Sequence, residues 1–145
     1  MADLAELESR IKGLEEAEAI KRLKYRYFRC LDSLSWDEVI DCFAEDAIMD
    51  YGPIKLQGKE ALKEHLSGMI GNFRGVHQGH HPEIDITGEG TARGTWELYV
   101  YACWDDRETE MRLGGLYHDE YVKERGEWKI RTTRMVQLFR ETRGT

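Results

Sequence analysis

Only two prolines, Pro53 and Pro82, interrupt the 145 residues. Long helices and strands are therefore open to this chain, and a proline-rich extended linker is excluded. Cysteine is nearly as scarce. Cys30, Cys42 and Cys103 are odd in number, far apart and without a CxxC pair, which argues against a disulfide framework and leaves the reduced thiols of a cytoplasmic protein as the expectation. No apolar run approaches the roughly 20 residues that a membrane helix needs. Positive charge is in deficit: 21 Lys and Arg face 28 Asp and Glu, a net charge of −7. The densest basic stretch is "IKRLKYRYFR", so nucleic acid is not the expected partner. The opening "MADLAELESRIKGLEEAEAI" has neither the basic start nor the apolar core of a signal peptide. What remains is a single domain over residues 1–145, expected in the cytoplasm, with apolar residues at 41% and enough Trp, Tyr and Phe to build a core and a small-molecule pocket.

From Leu4 to Leu34 apolar residues recur at spacings of three and four: Leu7, Ile11, Leu14, Ala17, Ile20, Leu23, Tyr27 and Leu31. This stripe predicts either a single long helix or, the preferred reading, a short lead-in joined near Gly13 to a main helix, with charges on the other side. "SWDEVIDCFA" predicts a second helix with Ser35 as cap and Glu38 as its capping-box partner. "AIMDYGPI" predicts a strand, and "GKEALKEHLSGMIG" a third helix with Leu62, Leu66, Met69 and Ile70 on one face. Beyond it the period changes to two. Strands are predicted over 77–87 and 91–104, with "TGEG" as the turn between them. Two more follow in "MRLGGLYHDEYVKE" and "EWKIRTTRMVQLFRE", joined by a hairpin at Arg125-Gly126. In the strand over 91–104 both faces carry large residues. Both are therefore expected to be covered, one by the helices and one by another subunit. The fold class expected is α+β: three N-terminal helices packed on a curved antiparallel or mixed sheet, a cone.

"HQGHHPEIDI" places three of the five histidines, His77, His80 and His81, within five positions. A zinc site wants three or four converging ligands, and no CxxC or HExxH spacing accompanies them, so no metal is expected. A solvated turn is the bland alternative. The third reading makes one histidine a general base, because an imidazole accepts a proton near neutrality. A carboxylate on its other ring nitrogen would orient it. Asp32 is the candidate: it sits at the C-terminal end of the main helix, where the dipole disfavours an acid, although it also reads simply as the start of the loop "DSLS". Tyr27 lies five residues earlier on the apolar stripe. Trp96, Leu98, Val100, Tyr51 and Tyr117 read as core or as pocket wall.

The segments "KYRYFRCLDSLSWDEVIDCFAEDAIMDYG", "GKEALKEHL", "HQGHHPEI", "GTWELYVYA" and "GLYHDEYVKERGEWKI", in that order, resemble the SnoaL-like branch of the nuclear-transport-factor-2-like superfamily. Within it the likeness is to bile-acid 7α-dehydratases, and more distantly to the scytalone dehydratase and dehydrochlorinase types. The resemblance implies the cone fold, no cofactor, and elimination by a His-Asp dyad. It implies Tyr27 as pocket acid or hydrogen-bond donor, Asp32 as the dyad carboxylate and His80 as the general base, since His80 follows Gly79 and stands two before Pro82. Val100 replaces a pocket carboxylate of the dehydratase pattern. Arg134 is the candidate for a late-strand arginine, with Gln137 at the position matching by distance from Trp128. The expectation is a lyase for a medium-sized hydrophobic ring substrate such as a steroid, terpenoid or polyketide. The alternatives are an isomerase or cyclase using the same proton abstraction, and a non-catalytic binding module. A homodimer or homotrimer is expected, because Tyr99 and Tyr101 make the outer sheet face too aromatic for water.

Overall fold

The computed structural model describes residues 1, 3–69, 73–104 and 108–144. Three helices lead: α1 (Leu4–Asp32), α2 (Trp36–Asp41) and, after two strands, α3 (Gly58–Gly68). The strands are β1 (Phe43–Asp50), β2 (Lys55–Gln57), β3 (Phe73–Gly88), β4 (Thr91–Trp104), β5 (Glu110–Glu124) and β6 (Glu127–Arg143). They form one sheet in the order β2-β1-β6-β5-β4-β3, antiparallel except where β1 runs parallel to β6. This is the α+β architecture expected. No helix among the described residues is long and apolar enough to cross a membrane.

Each helix departs from the sequence reading in one detail. α1 is one continuous helix of 29 residues with no joint at Gly13, capped by the Asp3 carboxylate, which accepts from the Glu6 N–H. One internal glycine costs about 1 kcal/mol against alanine, too little to end a helix whose later turns are anchored by packing. Leu7, Ile11 and Leu14 are exposed, and burial begins at Ile20. α2 starts after Ser35 as expected, yet the Ser35 side chain makes no capping bond and is instead 2.8 Å from the Ser33 hydroxyl. Of the face predicted for α3, Leu62 and Leu66 are buried and Met69 is exposed, while Ile70 lies outside the described residues. β2 was not expected, because the alternation of Lys55, Leu56 and Gln57 is too short to mark a strand.

The helices cover one face of the sheet. In β4 that face carries Ala92, Gly94, Trp96, Leu98, Val100 and Ala102, all buried, as the period of two requires. Their cross-strand partners continue the face into β5 as Tyr117, Asp119 and Tyr121, and into β6 as Met135, Thr133 and Ile130. β3 holds the same face with Gly79 opposite Leu98 and His77 opposite Val100. The α1 residues Ile20, Leu23, Lys24, Tyr27 and Phe28 press on it. Their spacing of three and four is one helical stripe, with a lysine where the periodic reading left only apolar side chains.

A bulge interrupts β3. His80 pairs with Glu97, but the next pair is Glu83 with Thr95, so His81 and Pro82 together stand opposite Trp96. His81 takes φ of 49°, in the left-handed region that non-glycine residues rarely adopt. Pro82 suits the spot because it has no N–H to offer the ladder. The Arg125-Gly126 hairpin is present, with φ of 53° and 80°, the pair of positive values that a tight two-residue turn needs.

Candidate active site

Asp32, the last residue of α1, meets the first half of β3. Its Oδ1 accepts from the His77 backbone N–H at 2.9 Å and lies 2.8 Å from His77 Nδ1. One carboxylate oxygen thus fixes both the strand and the imidazole ring. An ionised carboxylate can only accept, so the proton of a neutral His77 sits on Nδ1 and Nε2 keeps its lone pair. The helix end, unfavourable for an acid by its dipole, is offset here by the two donors. His77 is 17% and Asp32 28% exposed, partly shielded and still reachable.

The sequence reading paired Asp32 with His80 as the base; the structure seats His77, not His80, against Asp32. Side chains alternate along a strand, and Gly79, facing α1, shares the inner frame with His77. His80 therefore points to the outer face and is exposed. His81 sits at the bulge with its ring nitrogen 3.0 Å from Glu97, also exposed. The three histidines go to three different places. The signal that identifies His77 is the glycine: a Cβ on Gly79 would come within 2.3 Å of the Phe28 ring, so position 79 lies under the helix and position 80 does not.

Tyr27 is buried on α1, and its hydroxyl gathers two others: Tyr51 Oη lies 3.4 Å away and Tyr117 Oη 3.5 Å away. Burial pushes Tyr27 and Tyr117 well above the ordinary phenol value and Tyr51 up to about 12. All three stay protonated at any working pH, as neutral hydrogen-bond donors. Trp96, Leu98 and Val100 line the same inner face, Val100 directly opposite His77 and Leu98 opposite Gly79. The other assigned binding residue, Arg134, is on the wrong side. Thr133 faces inward to bond Asp119 and Met135 packs on the core, so Arg134 between them faces out and is exposed. It borders a cleft of about 490 Å³ on the outer face of the sheet, together with Arg93, His118 and Glu120. Gln137, opposite Gly115, keeps the inward frame that Arg134 lacks.

Sequence reasoning passed over a second cluster. Lys24 and Asp119 are both 0% exposed, with Nζ 2.8 Å from Oδ2. Tyr121 donates to the same Oδ2 at 2.8 Å and Thr133 to Oδ1 at 2.6 Å, while Trp96 Nε1 donates to the Tyr121 hydroxyl at 3.0 Å. Lys24 occupied a helical stripe position and Asp119 alternated with Tyr117, so period alone placed both inside. The general rarity of buried charge argued against it.

The molecule is thus a helix-backed α+β sheet with a His-Asp pair and three neighbouring tyrosine hydroxyls between α1 and the inner face. The model of the SnoaL-like domain matches residues 12–134, and the chain belongs to that family. Among solved structures, a proposed scytalone dehydratase from Novosphingobium aromaticivorans is similar at 27% identity and a TM-score of 0.84, with 88% of this chain and 87% of that one covered. The hexachlorocyclohexane dehydrochlorinase LinA-type3 from Novosphingobium barchaimii shares the fold at 14% identity and a TM-score of 0.79, covering 89% and 90%. So does an NTF2-like protein from N. aromaticivorans at 20% identity and a TM-score of 0.81, covering 95% and 92%.

Proposed function

We propose that this protein is a cofactor-independent lyase that removes water from a medium-sized hydrophobic ring substrate, with His77 as the base. The observation that carries the reading is the 2.8 Å contact between His77 Nδ1 and Asp32. Nε2 takes a proton from a carbon next to an electron-withdrawing group, and Asp32 stabilises the imidazolium that results. The carbon–oxygen bond breaks as the double bond forms, and Tyr27 protonates the departing hydroxide to give water. The proton on His77 then returns to Tyr27 through solvent, which restores the site. Tyr51 and Tyr117 hold the Tyr27 hydroxyl in place. Trp96, Leu98 and Val100 supply apolar wall, as a pocket of this kind requires.

Membership of the SnoaL-like family and similarity to a proposed dehydratase support this chemistry. The likeness of "KYRYFRCLD" and "HQGHHPEI" to bile-acid 7α-dehydratases supports a fused-ring substrate of steroid size. An isomerase shares the first step, with the tyrosine hydroxyls holding an enolate in place of a leaving group.

The test incubates the protein with hydroxylated steroid, terpenoid and polyketide ring ketones and follows loss of water by mass spectrometry. His77→Ala is expected to lower turnover by about 10²–10⁴-fold, and His80→Ala to leave it near the parent value. Turnover abolished by His80→Ala and retained by His77→Ala overturns the assignment. Binding without any conversion across the set makes the protein a ligand-binding module.

A further inference from the structure

The Lys24 ammonium lies 3.8 Å above the centroid of the Tyr117 ring, 4.7 Å from that of Tyr27 and 5.4 Å from that of Phe28. Among the described residues the charged group that pairs with it is Asp119 of β5, at 2.8 Å. That contact is an ion pair without hydrogen-bond alignment, and among the described residues no other acceptor satisfies Nζ. The remaining neighbours that titrate are neutral: Tyr27, Tyr117 and Tyr121 are held protonated by burial, and burial pushes the Cys42 thiol up to about 11. The ammonium thus sits over aromatic faces, that of Tyr117 nearest.

Nothing in stability accounts for this arrangement. Desolvating two ions costs several kcal/mol each, and apolar side chains of similar volume do as well or better. Asp119 is fully occupied by Thr133, Tyr121 and Lys24, so it is anchored as the counter-ion. The cation, by contrast, is presented to two of the three phenols whose hydroxyls converge. A phenol that donates to a developing oxyanion takes on negative charge, and a cation over its ring face is attracted to that charge.

We infer that Lys24 is a positioning residue of the site, whose buried charge acts through the Tyr27 and Tyr117 rings to make their hydroxyls stronger donors to an oxyanion. The inference rests on the reading of Tyr27 as donor. It assigns the site a preference for ligands that carry or develop negative charge on oxygen at the tyrosine cluster.

The probe is para-nitrophenol, whose anion absorbs in the visible. Its apparent pKa when bound reports how strongly the site favours oxyanion over phenol. In the parent protein the bound probe is expected to be more acidic than in buffer. Tyr27→Phe removes the donor, and Lys24→Met removes the charge. Each is expected to lower the ratio of anion to phenol about ten-fold, the scale of one nearby charge. Asp119→Asn keeps one acceptor oxygen but removes the charge that favours the ammonium form of Lys24 against burial, so it is expected to shift the probe the same way as Lys24→Met. A purely structural role of the pair changes how tightly the probe binds and leaves its bound pKa where it is. Should Lys24→Met fail to fold by circular dichroism, Asp119→Asn decides: a shift away from the anion supports the inference, and no shift or the opposite one overturns it. A folded Lys24→Met that matches the parent while Tyr27→Phe does not overturns the role of Lys24 alone. A parent protein that leaves the probe no more acidic, or a Tyr27→Phe variant equal to it, overturns the reading of the site and the inference with it.

Discussion

At the scale of single residues the site turns on parity. His77 and His80 are three apart, an odd step in a strand, and so they face opposite ways. The sequence motif around Gly79 and Pro82 drew attention to His80. The contact that forms is one frame earlier, and it was legible only through the glycine that has to pass beneath Phe28. Asp32 and Tyr27 were legible because each sits at a position with a local reason, a helix end and a buried stripe. Arg134 was misplaced for the parity reason again, its neighbours Thr133 and Met135 facing inward. Two outcomes follow at this scale. Asp32→Asn keeps an acceptor but loses the charge, and it is expected to slow the reaction strongly with little change in KM, measured by steady-state kinetics. Because burial holds the hydroxyls of Tyr27, Tyr51 and Tyr117 up, Tyr51 at about 12, the rate should show no alkaline fall up to about pH 10, the ordinary tyrosine value. A fall below that pH would point to a donor other than these tyrosines.

Among the elements, the long strands and the 125–126 hairpin followed from period and turn chemistry, while the pairing register did not. Register depends on contacts far apart in sequence, and a bulge shifts it by one residue without any periodic mark. The seating of α1 on β3 shows the consequence. Gly79→Ala puts a methyl into the Phe28 ring, and overpacking of this kind costs about 1–3 kcal/mol. It should lower the urea midpoint, and the pairing of Phe28→Leu with it should recover part of the loss. Near the middle of the helix Glu16 accepts from Lys123 at 2.7 Å and from Trp128 Nε1. The Lys123 bond holds the Glu16 carboxyl below its usual value. A carboxyl lowered in the folded state stabilises fully above its unfolded pKa, and the contribution is lost as pH falls through the folded one. Glu16→Gln should therefore lower Tm near neutrality by roughly 2–4 °C. The gap to the parent should close below about pH 4, near the ordinary glutamate value.

For the molecule as a whole, the outer face of the sheet is divided. One half carries a cross-strand row of Asp50, Arg134, His118, Thr95 and Glu83, with Arg93 3.5 Å from Asp85 in the next row. The other half holds Tyr99 opposite Gly114, with the Phe139 ring lying over that glycine and 46% exposed. The expectation of a covered outer face fits the second half better than the first, since an aromatic group of this kind is unfavourable in water. Light scattering at micromolar concentration is expected to show a dimer or trimer, and Phe139→Asp to shift it toward monomer. A parent protein that is monomeric throughout removes the case for assembly by this face.

The bulge at His81 bears on how much sequence change the cone can absorb. β3 holds one residue more than β4 needs between the pairs His80–Glu97 and Glu83–Thr95. Removing His81 would leave every pairing on both sides intact, with inward and outward positions alternating unbroken from His77 to Ile86. What it would take away is local curl, since the surplus residue gathers the strand as a dart shapes flat cloth. Length and curvature are thereby separable in this strand: one residue sets its local curl while the positions on either side keep their faces.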